Sequence, residues 1–222
     1  MKKNLIIVLL VVVAVLGIWY ISNSSKKATL NEPIVEEEAN LENETAEMGS
    51  LSVVAEESKA TYEIDEVLSG KPTHVTGESS AISGNIVLNK DTKVAETAKI
   101  SIDANSFKTD KELRDTNVKK MVLKTDEPGN ETITFEMTSV EGSPEKSLDK
   151  SVPVKINGDL KIAGKTKPVT FAGEATMSTD GKLTVSASTT LKYEDFGISV
   201  PDLPFLSDVS KDVKLSLQIV AR

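Results

Sequence analysis

His74 is the only histidine in the chain, and there is no cysteine. It sits in Pro72-Thr73-His74-Val75, a loop or strand start. A lone histidine without cysteine partners lacks the spacing of a metal site, so no metal ligand is assigned. Without a usable histidine the ordinary serine triad does not form, and no Gly-x-Ser-x-Gly elbow occurs. Asp195-Phe196-Gly197 spells the kinase magnesium motif. No Gly-rich loop, lysine-bearing strand or catalytic loop precedes it, so the match is accidental. Arg114-Asp115 reads as a surface or capping pair. The 34 acidic residues are mostly what a solvated, charge-rich surface requires. No catalytic residue is assigned, and the chain is expected not to be an enzyme.

The positive signal is apolar. Ile100 and Ile102 alternate with polar neighbours, as do Ile133, Phe135 and Met137, and Leu215 and Leu217. The same holds for Ile156, Leu160 and Ile162, and then for Val169 and Phe171. These twelve residues are candidate walls of a ligand pocket. Two readings stand for that face. One is a filled sandwich or small-barrel core. The other is a barrel of about eight strands, the size that holds one apolar ligand. Small residues at inward phase, Gly173, Ala175 and Ala187, would leave room in the second case.

Several strands must position that face. The sequence predicts them at Thr61–Asp65, Ser80–Asn89, Ala98–Ala104, Thr132–Val140, Lys182–Lys192 and Lys211–Val220, each with one wet side. Between Val152 and Gly173 two more form a hairpin. Ala163-Gly164-Lys165 is its turn, and Pro168, lacking an N–H, belongs at a strand start or edge. One segment breaks the alternation. Thr109-Asp110-Lys111-Glu112 reads as a capping box, followed by Leu113, Val118, Met121 and Val122 at roughly helical spacing. A helix of about three turns there would cover one end of a barrel.

Ahead of this domain stand two other segments. Leu5 to Ile21 is an unbroken apolar run, ~25 Å long as a helix, behind Lys2 and Lys3 and ending near Trp19 and Tyr20. It is expected to be a transmembrane signal anchor at 5–21, with 1–4 in the cytoplasm. Cleavage near Ser22-Asn23-Ser24 is the alternative. Residues 22–59 carry nine glutamates and read as an acidic flexible linker. The folded domain is expected over 60–222. The net charge of −8 argues against a nucleic-acid partner. With 4% aromatic residues, the core has to be built from Val, Ile, Leu and Ala.

From about Ala60 onward the chain resembles the YceI-like family of lipid-binding β-barrels. The run Asn157-Gly158-Asp159-Leu160-Lys161-Ile162-Ala163-Gly164-Lys165-Thr166-Lys167-Pro168-Val169 is similar to the family's "v-x-G-x-L-t-i-x-G-x-T-k-p-V". Tyr62-x-Ile64-Asp65, Ser106-Phe107-Lys108-Thr109 with Arg114-Asp115, and Ile133-Thr134-Phe135 also fit. So do Glu194-Asp195-Phe196-Gly197-Ile198 and the closing strand Val213–Ala221. The chain departs from the family after Arg114-Asp115, where it runs Thr116-Asn117-Val118-Lys119-Lys120-Met121. It departs again at Tyr193, where an arginine is usual, and at Leu68-Ser69-Gly70, which replaces a histidine-serine pair. It is therefore read as a divergent branch.

The resemblance implies an all-β, antiparallel lipocalin-like barrel of about eight strands with one short helix. It implies a pocket for an isoprenoid-like or other long-chain amphiphilic lipid, and neither metal nor redox cofactor. Together with the apolar run, it leads to the expectation of a membrane-tethered binding protein of the bacterial envelope, its C-terminal domain outside the cytoplasm. If the leader is cut, the domain is secreted or periplasmic. A structural or adhesive envelope domain with a filled core is the competing expectation.

Overall fold

The computed structural model describes residues 48–89, 91–142 and 149–222. The expected anchor and most of the expected linker lie outside the described residues. Among the described residues, no helix is long and apolar enough to cross a membrane.

Among the described residues, eleven strands make one antiparallel sheet: β1 (Met48–Ser52), β2 (Lys59–Leu68), β3 (Lys71–Ser79), β4 (Ile82–Asn89), β5 (Ala95–Asp103), β6 (Thr132–Glu141), β7 (Val152–Ile162), β8 (Lys165–Met177), β9 (Leu183–Lys192), β10 (Leu206–Ser207) and β11 (Asp212–Ala221). Their order is β1-β4-β5-β6-β7-β8-β9-β11-β2-β10, with β3 paired to β2. The sheet curls into a half-barrel around one apolar core. Residues just after β1 stitch distant parts of that order together. The Val53 N–H donates to the Gly84 carbonyl at 3.0 Å, and the Val54 N–H donates to the Val220 carbonyl at 2.8 Å.

The fold class agrees with the expectation, but the strand count does not. Among the described residues the sheet already includes Met48–Ser52, which pairs along β4. Its sequence, MGSLS, carries too little alternation to announce a strand. β3 was hidden for the same reason. Val75 is its only aliphatic side chain, and its other residues are polar, Gly or Pro. His74 thus lies inside a strand, exposed, with Nδ1 2.7 Å from Asp65 on β2.

The β7–β8 hairpin is closed by two residues, Ala163 and Gly164, at φ 47° and 74°. Two successive positive φ values match the right-handed twist of the flanking strands. Pro168 pairs with Asp159 on β7, whereas β8 pairs with β9 only from Ala172 onward. Its missing N–H therefore costs no ladder bond. Gly173 does not open space for a ligand as expected. A Cβ there would lie 2.0 Å from the Ser186 carbonyl oxygen, so the glycine admits the neighbouring strand.

The helix differs from its expected form. α1 spans Glu112–Asn117 and passes directly into a π-helical turn, Val118–Leu123. The residue reaching back to Thr109 is Asp115, not Glu112. Its Oδ1 accepts from the Thr109 N–H at 2.8 Å and from the Thr109 hydroxyl at 2.7 Å. Lys124, in the left-handed region at φ 50°, ends the turn.

Candidate functional site

Between the concave face of the sheet and α1 lies a cavity of about 340 Å³. Alternation along β2 supplies one wall: Ala60, Tyr62, Ile64, Glu66 and Leu68 all face it. β5 and β6 contribute Ile100, Ile102, Ile133 and Phe135, and β7 and β8 contribute Leu160, Ile162 and Phe171. β11 adds Val213, Leu215 and Leu217. The helical segment closes over them with Leu113, Val118, Val122 and Leu123.

A second cavity, of about 90 Å³, lies under β4 and β9. Ile100, Phe135, Phe171 and Leu217 border both spaces. Phe135 and Phe171 meet edge to face, ring centres 5.3 Å apart, and form the partition. Gly158 seats the Phe135 ring, since a Cβ there would fall 2.4 Å from its Cζ.

Of the twelve wall candidates, nine line the larger cavity. Met137 and Ile156 line only the smaller one, and Val169 packs against the core without reaching either. Among the small residues, Ala175 and Ala187 line the smaller cavity. The Asp195-Phe196-Gly197 run is turn chemistry. Phe196 is buried and lines the larger cavity, while Gly197 takes φ 66° and its N–H donates to the Glu194 carbonyl.

Sequence reasoning missed the polar pole of this apolar space. Glu66 follows Tyr62 and Ile64 at inward phase, so an acid faces the cavity from an otherwise apolar row. Arg114 of α1 meets it at 3.0 Å, and the two side chains are only 10% and 12% exposed. The same guanidinium also donates to Asp110. Burial opposes the Arg114 charge, but the bonds to Glu66 and Asp110 more than compensate, and its pKa is raised. A carboxylate at inward phase was the available signal, and it calls for a cation from another element.

Tyr62 lies beside this pair, its ring over Gly77, where a Cβ would be 2.1 Å from Cε1. Its phenol is pushed up to about 12, chiefly by burial and then by the Asp115 charge, with Arg114 opposing and Glu66 adding. Among the described residues, no cluster of three or more His, Asp and Glu side chains is placed to hold a metal ion. The arrangement can enclose a long apolar chain and meet one polar end.

The comparisons with known proteins agree with this geometry. A family model described as the YceI-like domain matches residues 51–221. Among solved structures, BcnA of Burkholderia cenocepacia superposes with a TM-score of 0.58 at 19% identity, over 77% of this chain and 99% of that one. A polyisoprenoid binding domain from Saccharophagus degradans, implicated in plant cell wall breakdown, gives 0.62 at 14% identity, over 78% and 97%. The Campylobacter jejuni YCEI protein gives 0.51 at 22% identity, over 65% and 82%. No curated protein matches the chain. A match spanning nearly all of the described sheet, on a half-barrel with an apolar interior, places this chain in the YceI-like domain family.

Proposed function

We propose that this protein is a membrane-tethered, non-enzymatic binding protein that holds an isoprenoid-like or similar long-chain amphiphilic lipid. The observation that carries the proposal is the larger cavity. Its volume of about 340 Å³ lies within the usual range for small-molecule sites, about 300–1,000 Å³. A filled structural core would leave no space beyond a few waters at about 30 Å³ each. Desolvating an apolar chain contributes about 25 cal/mol per Å² buried, so such walls need no catalytic group to bind tightly. Its relative from Saccharophagus degradans is described as polyisoprenoid binding, which supports the same ligand class. The apolar run Leu5–Ile21 supplies the tether, and the folded domain faces outward from the cytoplasm.

The test is to purify the full chain in an amphiphilic polymer and extract it with organic solvent. Mass spectrometry should find a long-chain lipid, and added isoprenoid alcohols should raise the melting temperature. Absence of both would exclude the reading. For the orientation, a reporter enzyme that matures only outside the cytoplasm, joined after Arg222, should be active.

A further inference from the structure

We propose that the mouth of the larger cavity is a docking surface for anionic lipid bilayers. The inference rests on the lipid-binding reading and adds where the ligand enters. Leu113, Met121 and Phe205 are the exposed large hydrophobics among the described residues, at 69%, 43% and 46%. Leu113 and Phe205 also line the cavity, so α1 and the segment before β10 border its opening. Each side chain is thus at once cavity wall and outer surface. Met121 follows Leu113 by about two turns, one α-helical and one π-helical, which returns it to the same side of the helical segment.

Charge selects the occupant. From Lys108 to Lys124 there are six cationic side chains against three carboxylates, in a chain whose net charge is −8. Arg114 is held by Glu66 and Asp110, and Lys124 by Glu127. Among the described residues Lys108, Lys111, Lys119 and Lys120 have no ion-pair partner; Lys119 is half-buried and the other three are exposed. On the side of Leu113 and Met121 the apolar edge is accompanied by uncommitted lysines, the pattern of a segment lying in a membrane interface, whereas Asp202 and Asp208 flank Phe205. Docking there gives a long-chain ligand a continuous apolar path from bilayer to cavity, with no passage through water. An acidic protein would satisfy the lysines but leave Leu113 and Phe205 without that continuity.

The absence of native cysteine makes a direct test possible. Met121→Cys, and in a separate protein Thr179→Cys on the β8–β9 turn, are labelled with an environment-sensitive dye in the full chain. Each is reconstituted into phosphatidylcholine vesicles, with or without about a third phosphatidylglycerol. In anionic vesicles the dye at position 121 should shift to the blue. A quencher carried on lipid should cut its emission about twofold. The dye at 179 should do neither. About 1 M salt should reverse the effect, because screening then acts within about 3 Å. Lys111→Glu with Lys119→Glu and Lys120→Glu should abolish it. The proposal is overturned if the dye at 121 stays in water on anionic vesicles, if a soluble acidic protein but not lipid shifts it, or if both sites respond equally. Extraction of the same samples keeps the two readings apart. Retained lipid with an unshifted dye removes docking alone, and a shifted dye with no lipid removes the carrier reading alone.

Discussion

Arg114 and Glu66 form the least replaceable polar contact in the cavity, because each charge is nearly out of water. Removing Arg114 leaves the Glu66 carboxylate buried without compensation, whereas removing Glu66 leaves Arg114 bonded to Asp110, and removing both leaves no buried charge unpaired. Arg114→Met is expected to lower stability by about 3 kcal/mol, and Glu66→Leu alone or together with Arg114→Met by less. Urea titrations of the Glu66→Leu, Arg114→Met and double variants measure the coupling, and simple additivity would contradict it. Tyr62 gives a second prediction. Its phenol is pushed from 10.0 to about 12 in the folded protein. The unfolded chain therefore loses this proton first, and folding is penalised as pH rises from about 10 to 12. Below pH 10 the contribution is whole. Across that window stability should fall by about 2–3 kcal/mol, and Tyr62→Phe should remove that part of the slope. Denaturant midpoints at pH 9 and near pH 12 decide it. Both groups show the limit of local reading. Glu66 at inward phase is visible in the sequence, but its partner lies 48 residues away on another element.

Strands were legible where a strand buries one face and wets the other, as Ile100–Ile102, Phe135 and Leu215–Leu217 do. β1 and β3 were illegible because neither carries an alternating apolar row, and their place comes from pairing with β4 and β2. The π-helical turn was equally hidden, since helical spacing over Leu113–Val122 does not distinguish an α turn from a wider one. Packing details escaped for a related reason. Gly173 and Gly158 look alike as inward small residues, yet one admits β9 and the other seats Phe135. Gly173→Ala should therefore be costly, because the obstruction is backbone: the Ser186 carbonyl oxygen at 2.0 Å and the Ala187 Cα at 2.5 Å. A loss of about 3 kcal/mol is expected from such overpacking, read as a lowered melting temperature. The Phe135–Phe171 partition makes a different prediction. Phe171→Ala should join the two cavities, cost about 3–5 kcal/mol, and shift preference toward longer isoprenoid chains. Unchanged preference across a chain-length series would show that the partition does not limit the ligand.

At the scale of the molecule, the half-barrel encloses an apolar space of about 340 Å³ rather than a filled core. Its walls lose the packing contacts a filled core would have, at a cost that grows with cavity size. That cost is tolerable because the sheet ladder is long: β7–β8 alone runs eleven paired residues, and β9–β11 runs ten. A ligand that fills the space restores contacts only in the folded state, so binding must raise stability by mass action. At a free concentration 100 times the dissociation constant, the gain is about 2.7 kcal/mol, or about 5–10 °C in a domain of this size. The cavity walls offer a way to separate this from nonspecific detergent-like effects. Ile102→Trp narrows the larger cavity from within the sheet and leaves the Arg114–Glu66 side chains themselves unaltered. It should keep the apo melting temperature within a few degrees, at the modest cost of overpacking into open space, while removing most of the ligand-induced rise. Isoprenoid titrations of the native and Ile102→Trp chains, followed by thermal melts, give the two curves. Equal rises in both would mean that the lipid binds elsewhere. A rise confined to the native chain would locate it between β2, β5 and β11, under α1.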